Sequence, residues 1–203
     1  MTYSAFRKAL SPFPVFSTQD ILKIYPDFDS RRLVEWQQKD HIRKIVNKWY
    51  LFTESKINEM LLFRISNCIY RPSYVSLESA LSYHHLIPEG VYSQQAVTTR
   101  KTINYETTVG TFNYRTLKSK LFFGYEILHK QEYPVMMAEV EKAILDFLYL
   151  TSSIKTIDDI ESLRFNNTEI HNSVNWKKLD KYAMVFANKT LDKRITDLKK
   201  ITL

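Results

Sequence analysis

The stretch from residue 70 to residue 90 holds the side chains that most resemble a site for metal or acid–base chemistry. His84 and His85 are adjacent there, and Glu78 precedes them. Neighbouring residues on an α-helix project about 100° apart, so two adjacent histidines cannot face one ion from a regular helix. Zinc-binding helices space their histidines four residues apart instead. We therefore predict a helix capped by Ser76, with His84 at its end and His85 as a terminal cap.

A second group of candidate side chains consists of Glu139, Glu141, Lys142 and Asp146. A metal-dependent nuclease needs an acid followed by an acid-x-Lys arrangement, and this spacing is absent because Glu141 and Lys142 are adjacent. Lys142 and Asp146 are four residues apart, so they can pair on one helix face for a few tenths of a kcal/mol. A nuclease remains the alternative from a different class. Magnesium-dependent cleavage of plasmid DNA, lost in Glu141→Ala, would support it.

The composition narrows the classes of function. The chain has three glycines in 203 residues and contains no G-x-G-x-x-G or G-x-x-x-x-G-K-[ST] phosphate loop. Cys68 is the only cysteine, so a disulfide within the chain is impossible and a cysteine-based zinc site is not expected. The formal charge of +7 favours polyanionic partners such as nucleic acid. No apolar run approaches the roughly 18 residues of a membrane span, and no signal peptide is recognisable. We expect a cytoplasmic protein without cofactor, metal or membrane partner.

The elements that would position functional side chains form two blocks. In the first, "YSAFRKALS", "FSTQDILKIYP" and "DFDSRRLVEWQQKDH" predict three helices, and Ser17 and Asp20 have the spacing of a capping box. "IRKIVNKWYLF" then predicts two strands, with "NK" as a turn because Asn47 tolerates a left-handed backbone. Three helices followed by a basic ribbon are typical of a winged helix-turn-helix domain, which we assign to residues 1–56.

The third helix of this block is amphipathic. Asp29 or Ser30 caps it, and Leu33, Val34 and Trp36 are predicted to face the core. Its polar side chains then face outward. These outward residues, with the cations of the ribbon, are the strongest candidates for chemistry in the chain.

We interpret these residues as a DNA-binding surface. The first turn of a recognition helix enters the major groove, where arginine can bond guanine through two hydrogen bonds. Cations on the ribbon are suited to phosphate contact. The expected base-reading residues are Arg31, Arg32, Glu35 and Gln38, the expected phosphate-binding residues are Lys39, Arg43, Lys44 and Lys48, and Ser30 adjoins them. The alternative is an ordinary solvated charged face.

Residues 57–203 predict a mixed sheet flanked by helices, so the fold class is α+β, and residues 57–68 predict a helix that joins the blocks. "SLESALSYHHL" and "MAEVEKAILDFLYLT" predict helices, whereas "VYSQQAVTT", "TINYETTVGTFNYRTL" and "KLFFGYEIL" predict strands. Cations on neighbouring strands suggest a second basic surface along the DNA backbone, with a plain exposed strand face as the alternative. Its residues are Arg100, Lys101, Arg115, Lys118 and Lys120.

Three separated segments of the second block resemble the C-terminal domain of AbiEi-type antitoxins, which belong to type IV, abortive-infection toxin–antitoxin systems. The segments are "YVSLESALSYHHLIPEGVYSQQAVTTRKT", "YETTVGTFNYRTLKSKLFFGYE" and "AEVEKAILDFLYL", between Tyr70 and Leu150. The first block is similar to the winged-helix domain of that family. The chain departs from the family at Asp40, which follows Lys39 where the family tends to read lysine-glycine, and at the turn "NK" and His85, where the family also tends to carry glycine.

The resemblance implies a non-enzymatic protein whose N-terminal domain binds double-stranded operator DNA and represses its own operon. The C-terminal domain would counteract a nucleotidyltransferase-like toxin, for which type IV systems do not require a stable complex. Operators of the family suggest inverted repeats, so two copies can bind one operator. Two further hypotheses are a solitary winged-helix regulator without a toxin and a pure protein-interaction module.

Overall fold

The first block forms three short helices and a small antiparallel sheet, as predicted for the helices and the ribbon. The structure, a computed structural model, describes residues 1–88, 90, 92–129 and 133–202. The elements of the block are α1 (Tyr3–Ala9), β1 (Val15–Ser17), α2 (Thr18–Ile24), α3 (Arg31–Gln38), β2 (Ile42–Val46) and β3 (Trp49–Phe52). The strand β1, which was not predicted, pairs with β3 and gives the strand order β1-β3-β2.

Local sequence rules account for both ends of α2. The Asp20 backbone N–H donates to Ser17 Oγ at 3.2 Å, and the Ser17 backbone N–H donates to the Asp20 carboxylate at 2.8 Å. This is the predicted capping box. The helix ends at Ile24, because Tyr25 precedes Pro26 and the residue before a proline avoids helical backbone.

An aromatic cluster fixes the three helices to one face of the small sheet. The ring of Phe6 lies at its centre, with its centroid 4.3 Å from that of Trp36 and 5.7 Å from that of Phe16. Tyr50 and Phe52 complete the sheet side of the cluster. Because aromatic side chains bury large apolar areas, this cluster sets the position of α3 relative to the strands.

One side chain of α3 lies outside the predicted inward stripe. Leu33 and Trp36 are buried, but Val34 is 56% exposed, so its predicted burial was wrong. At about 100° per residue, Leu33 and Trp36 are about 60° apart around the helix axis, whereas Val34 lies about 160° from Trp36. A narrow stripe of two large side chains is enough to dock this short helix, and Val34 faces away from it.

The second block is built around a six-stranded mixed sheet with strand order β6-β7-β5-β4-β9-β8, which confirms the α+β class. Its strands are β4 (Ser73–Val75), β5 (Ser93–Thr98), β6 (Ile103–Thr107), β7 (Gly110–Thr116), β8 (Tyr125–Leu128) and β9 (Val135–Ala138). Its helices are α4 (Glu59–Ile69), α5 (Leu77–Tyr83), α6 (Val140–Leu150), α7 (Ile157–Glu161), α8 (Asn167–Ser173), α9 (Trp176–Phe186) and α10 (Lys189–Thr202). Among the described helices, none is both long and apolar enough to cross a membrane.

The joining helix α4 begins two residues later than predicted. Asn58 caps it, because its Oδ1 accepts a hydrogen bond from the Leu61 backbone N–H at 2.8 Å. Ile57, which was expected within the helix, precedes it and is 37% exposed. The capping side chain therefore decides where this helix starts, in preference to the apolar residue before it.

The small sheet is buried on both faces. Its second face, which includes Val15 and Leu51, packs in one apolar cluster with Ile65 of α4 and with Phe112 and Tyr114 of β7. Burial on both faces explains the unbroken runs of buried residues in β1 and β3. The two blocks share this cluster, so the small block is held against the large sheet.

Candidate nucleic-acid interface

The outward face of α3 carries most of the predicted base-reading residues. At about 100° per residue, Arg31 and Gln38 lie opposite the stripe of Leu33 and Trp36, with Glu35 beside them. The Arg31 side chain is 91% exposed. This face is open to a large partner.

Arg32 lies on the flank of this face. It is half-buried, next to a surface cavity that is also lined by Asp27, Phe28 and Asp29. The helical spacing turns Arg32 away from Arg31 by about 100°. The two arginines, predicted as equal partners, therefore differ in what they can reach.

Asp29 caps the N-terminus of α3 and also forms an ion pair with Arg31. Its Oδ1 accepts a hydrogen bond from the Arg31 backbone N–H at 3.0 Å, and Arg31 Nη2 lies 2.9 Å from its Oδ2. The other predicted cap, Ser30, makes no side-chain capping hydrogen bond. The hydrogen bond from the Arg31 side chain lowers the pKa of Asp29, and the bond from the Arg31 backbone lowers it further. The guanidinium of Arg31 is therefore held in an ion pair with Asp29.

Glu35 and Lys39 also pair with each other. Lys39 Nζ lies 2.7 Å from Glu35 Oε1, and this hydrogen bond lowers the pKa of Glu35. Residues 27–40 contain four carboxylates and three cations, so the segment that carries α3 has no net positive charge. Attraction of a polyanion to the first block must come from other residues.

The ribbon supplies that positive charge. Residues 41–52 contain Arg43, Lys44 and Lys48 and no carboxylate. Lys44 and Lys48 are exposed and Arg43 is half-buried, and none of the three forms an ion pair with any residue that the structure describes. The ribbon is therefore an uncompensated cationic edge beside α3.

The turn of the ribbon is short. The residue with the left-handed backbone is Lys48, whose φ is +68°, and not Asn47, which was predicted for this place. The Thr18 backbone N–H donates to the Lys48 carbonyl at 3.0 Å and ties the turn to the start of α2. A two-residue turn limits how far the ribbon can extend, so its reach depends on lysine side chains.

The ribbon is also braced by the second block. Thr108, in the turn between β6 and β7, donates its hydroxyl to the Lys44 carbonyl at 3.1 Å. Trp49 packs on the shared apolar cluster, and the Arg71 guanidinium carbon lies 5.6 Å from the centroid of its ring. These contacts fix the orientation of the small block on the large one.

The predicted second basic surface is divided between two faces of the large sheet. Arg100 lies over the ring of Tyr70, 4.5 Å from its centroid, and that ring packs against Tyr114 at 5.1 Å. Arg115 follows Tyr114 in β7, so it points to the opposite face, where its Nη2 donates to the Leu150 carbonyl at 3.0 Å. The structure thus does not bring Arg100 and Arg115 together. The other three cations, Lys101, Lys118 and Lys120, are exposed.

The histidine-containing stretch forms the end of a helix. His84 is the C-cap of α5, and its Nε2 lies 2.8 Å from the Ala138 carbonyl oxygen. His85, which was predicted as the cap, follows His84 and has φ of +59°, a left-handed backbone that is uncommon for a residue with a side chain. Ser76 precedes α5 but does not cap it with its side chain, because its Oγ donates to Asp146 at 2.9 Å. Within the described residues, no group of three His, Cys, Asp or Glu side chains could hold a metal ion.

A buried polar cluster in the large block is more substantial than the sequence suggested. Lys142 and Asp146 are fully buried and form an ion pair across one turn of α6. Tyr74 accepts a hydrogen bond from Lys142 Nζ at 2.8 Å and donates one to Asp146 at 2.8 Å, and Ser76 also donates to Asp146. Burial raises the pKa of Asp146 and lowers the pKa of Lys142. The four-residue spacing of Lys142 and Asp146 predicted their pairing. The only sign in the sequence that the pair would be buried is the apolar residues around it.

The carboxylates of Glu139 and Glu141, at the start of α6, form hydrogen bonds and ion pairs with α9 and its N-cap residue. Glu141 is 4% exposed and accepts a hydrogen bond from the Asn175 backbone N–H at 2.9 Å. Lys178 lies between Glu141 and Glu139, at 3.0 and 3.2 Å, and the Tyr182 hydroxyl donates to Glu139 at 2.7 Å. Each carboxylate that a nuclease would use for a metal therefore has protein partners.

Comparisons with protein-family models and with curated proteins find no match to this chain. The likeness to AbiEi-type antitoxins accordingly rests on the three segments quoted above. What the geometry defines is an α+β protein in which a small helical block presents an exposed polar helix beside a cationic ribbon. Both elements are fixed to a large mixed sheet.

Proposed function

We propose that this protein is a transcriptional autorepressor and antitoxin of the AbiEi type, in which residues 1–56 form a winged helix-turn-helix that binds operator DNA. The observation that carries the proposal is the outward face of α3, which projects Arg31 and Gln38 away from the core next to a ribbon without carboxylates. The chain order α1-β1-α2-α3-β2-β3 supports the same assignment, since it places the expected recognition helix directly before the ribbon. The second block would counteract a nucleotidyltransferase-like toxin.

Two parts of the proposed interface have different tasks. The ribbon attracts phosphates through Lys44 and Lys48, whereas α3 reads bases without adding net charge. Arg31 would exchange Asp29 for the O6 and N7 atoms of guanine, and Gln38 suits adenine. Val34 is exposed on the same side of α3, where an apolar side chain can contact a thymine methyl group. This division predicts separate effects on specificity and on salt dependence.

The change Asp29→Asn tests the first part. Asparagine keeps an oxygen that can accept the Arg31 backbone N–H, but it removes the charge that holds the guanidinium. We expect tighter binding to DNA by a few-fold, because Arg31 no longer has to leave an anion. Fluorescence anisotropy measures the DNA affinity of the wild type and of Asp29→Asn, and circular dichroism checks that the α-helix content is unchanged. Unchanged or weaker binding with intact helix content would contradict the proposed partner exchange.

The changes Lys44→Ala and Lys48→Ala test the second part. Each is expected to weaken binding to every duplex alike and to reduce the slope of log K against log salt by about one unit per lost phosphate contact. Lys181→Ala, in the exposed side of α9, is the matched control and should leave the slope unchanged. Equal slopes of log K against log salt in the wild type and both ribbon variants would show that the ribbon does not contact the DNA phosphates.

The proposal as a whole is tested by two assays on the same protein. A mobility-shift assay uses the DNA upstream of the gene, and a growth assay co-expresses any nucleotidyltransferase-like protein that a neighbouring gene encodes. We expect a specific shift and restored growth. A shift without restored growth would indicate a solitary regulator, and restored growth without any shift at low salt would indicate an interaction module. Either result would overturn the combined function.

A further inference from the structure

A cavity of about 380 Å³ opens between α4, the start of β4 and the β8–β9 pair. Its volume lies in the range of small-molecule sites. Most of its wall is apolar, and the aromatic part consists of Phe122 and Tyr125. The Tyr125 ring stacks on Tyr74 with centroids 4.8 Å apart, and the Phe122 ring packs against Tyr74 at a tilt with centroids 5.0 Å apart. Buried packing behind the rings holds them in place, so the aromatic wall is already formed in the free protein.

Two arginines lie at the polar side of this cavity. Arg64 donates from Nη1 to the Pro134 carbonyl at 3.0 Å, and Arg71 donates from Nε to the Asn67 carbonyl at 3.1 Å. Neither guanidinium has a carboxylate partner among the residues the structure describes. The carbonyl contacts orient both groups without neutralising them. Two oriented, uncompensated guanidiniums suit a phosphate, which accepts paired hydrogen bonds from arginine.

Two buried polar atoms in residues that line the cavity have no hydrogen-bond partner among the described residues. Ser73 lines the cavity and is 2% exposed, and its Oγ has no hydrogen-bond partner within the described part of the chain. The same holds for Nε of Arg64. Buried polar groups in native proteins are nearly always hydrogen-bonded, and an exception calls for a specific cause. Both atoms are closed to solvent in the free protein, so a molecule in the cavity would accept these missing hydrogen bonds only after a rotation of each side chain.

We infer that this cavity binds a small molecule that joins an aromatic ring to a phosphate, the chemistry of a nucleoside monophosphate. The ring packs on Phe122 and Tyr125, the phosphate lies between Arg64 and Arg71, and Ser73 donates its hydroxyl to the ligand. A phosphate ion alone would leave the apolar wall unfilled, and a neutral aromatic compound would leave both arginines without a counter-ion. The inference does not depend on DNA binding, because none of these residues belongs to α3 or the ribbon.

Isothermal titration calorimetry at low ionic strength tests the inference with AMP, GMP, CMP and UMP. Inorganic phosphate and adenosine are titrated separately, because they represent the two halves of a nucleoside monophosphate. At least one nucleoside monophosphate should bind with Kd below about 1 mM, and each half should bind at least tenfold more weakly. Arg64→Ala and Arg71→Ala should each weaken binding by at least tenfold. Arg115→Ala, which removes an arginine that does not line the cavity and donates to the Leu150 carbonyl instead, should not change it.

Ser73→Ala separates binding from folding. The serine hydroxyl makes no hydrogen bond to any residue that the structure describes, so its removal should leave the melting temperature unchanged or higher while binding weakens. The inference is overturned if none of the four nucleotides binds the wild type. It is also overturned if phosphate binds as tightly as they do, or if affinity is the same in Arg64→Ala, Arg71→Ala and Ser73→Ala.

Discussion

Lys142→Met is expected to lower the free energy of unfolding by about 3–5 kcal/mol, because removal of one partner from a buried ion pair leaves the other charge uncompensated. Asp146 would remain fully buried and would keep only the hydrogen bonds from Tyr74 and Ser76. Methionine preserves most of the volume of the lysine stem, so the loss reports on charge and not on a cavity. Chemical denaturation at pH 7, with the free energy extrapolated to water, measures the effect.

The matched control is Lys39→Met. Lys39 also pairs with a carboxylate four residues away, Glu35, but the two side chains are 59% and 48% exposed. Exposed pairs of this kind contribute little to stability, so we expect a change within the error of the measurement. The double variant Lys142→Met/Asp146→Leu should lose less stability than the two single variants together, since each removes the penalty that the other leaves. Equal small losses in Lys142→Met and Lys39→Met would contradict the account of the buried cluster.

Arg31→Ala is expected to weaken binding to the upstream DNA by about ten- to a hundredfold and to leave binding to scrambled DNA nearly unchanged. The reason is that Arg31 projects directly opposite the buried stripe of α3 and is 91% exposed, whereas its charge is already balanced by Asp29. Under the proposed function, Arg31 would therefore contribute to base recognition more than to general attraction of DNA. Fluorescence anisotropy titrations with both duplexes measure the ratio of the two affinities.

Arg32→Ala provides the internal comparison. Because Arg32 is half-buried on the flank of α3, its removal should reduce the affinity ratio less than Arg31→Ala does. Lys181→Ala is again the control for the loss of a positive charge far from α3. An unchanged affinity ratio in Arg31→Ala would reject α3 as the base-reading element, whatever the effect on overall affinity.

Features that depend on a few neighbouring residues could be predicted from the sequence. The capping box of Ser17 and Asp20 was found from its spacing, because both hydrogen bonds are made within one turn of helix. The turn between the two ribbon strands was also predicted at residues 47–48, although its left-handed residue is Lys48 and not Asn47. These features need no knowledge of the tertiary fold.

Features that depend on residues distant in sequence could not be predicted. Ser76 has the sequence position of a helix cap, but Asp146, seventy residues later, takes its hydroxyl. The burial of Lys142 follows from packing by α9 and the large sheet, which no periodicity in α6 reveals. Val34 was assigned to the core because it is apolar, although the narrow contact of α3 leaves no room for it there.

The candidate sites differ in the same way. The outward face of α3 could be predicted because one helix carries it, whereas the pairing of Arg31 with Asp29 and of Lys39 with Glu35 changed its electrostatics. The cavity with Arg64 and Ser73 could not be predicted, since α4, β4 and the β8–β9 pair contribute to it from positions far apart in the chain. Sites assembled from several elements need the tertiary structure.

The central claim is that the exposed face of α3 recognises a particular duplex. The measurement that tests it most directly is the equilibrium affinity of the wild-type protein for the upstream DNA and for a scrambled duplex of equal length, over a series of salt concentrations. We expect the upstream DNA to bind tighter by about a thousandfold or more, with both affinities falling as salt rises. Equal affinity for the two duplexes at every salt concentration, or no binding to either at about 50 mM salt, would contradict the claim.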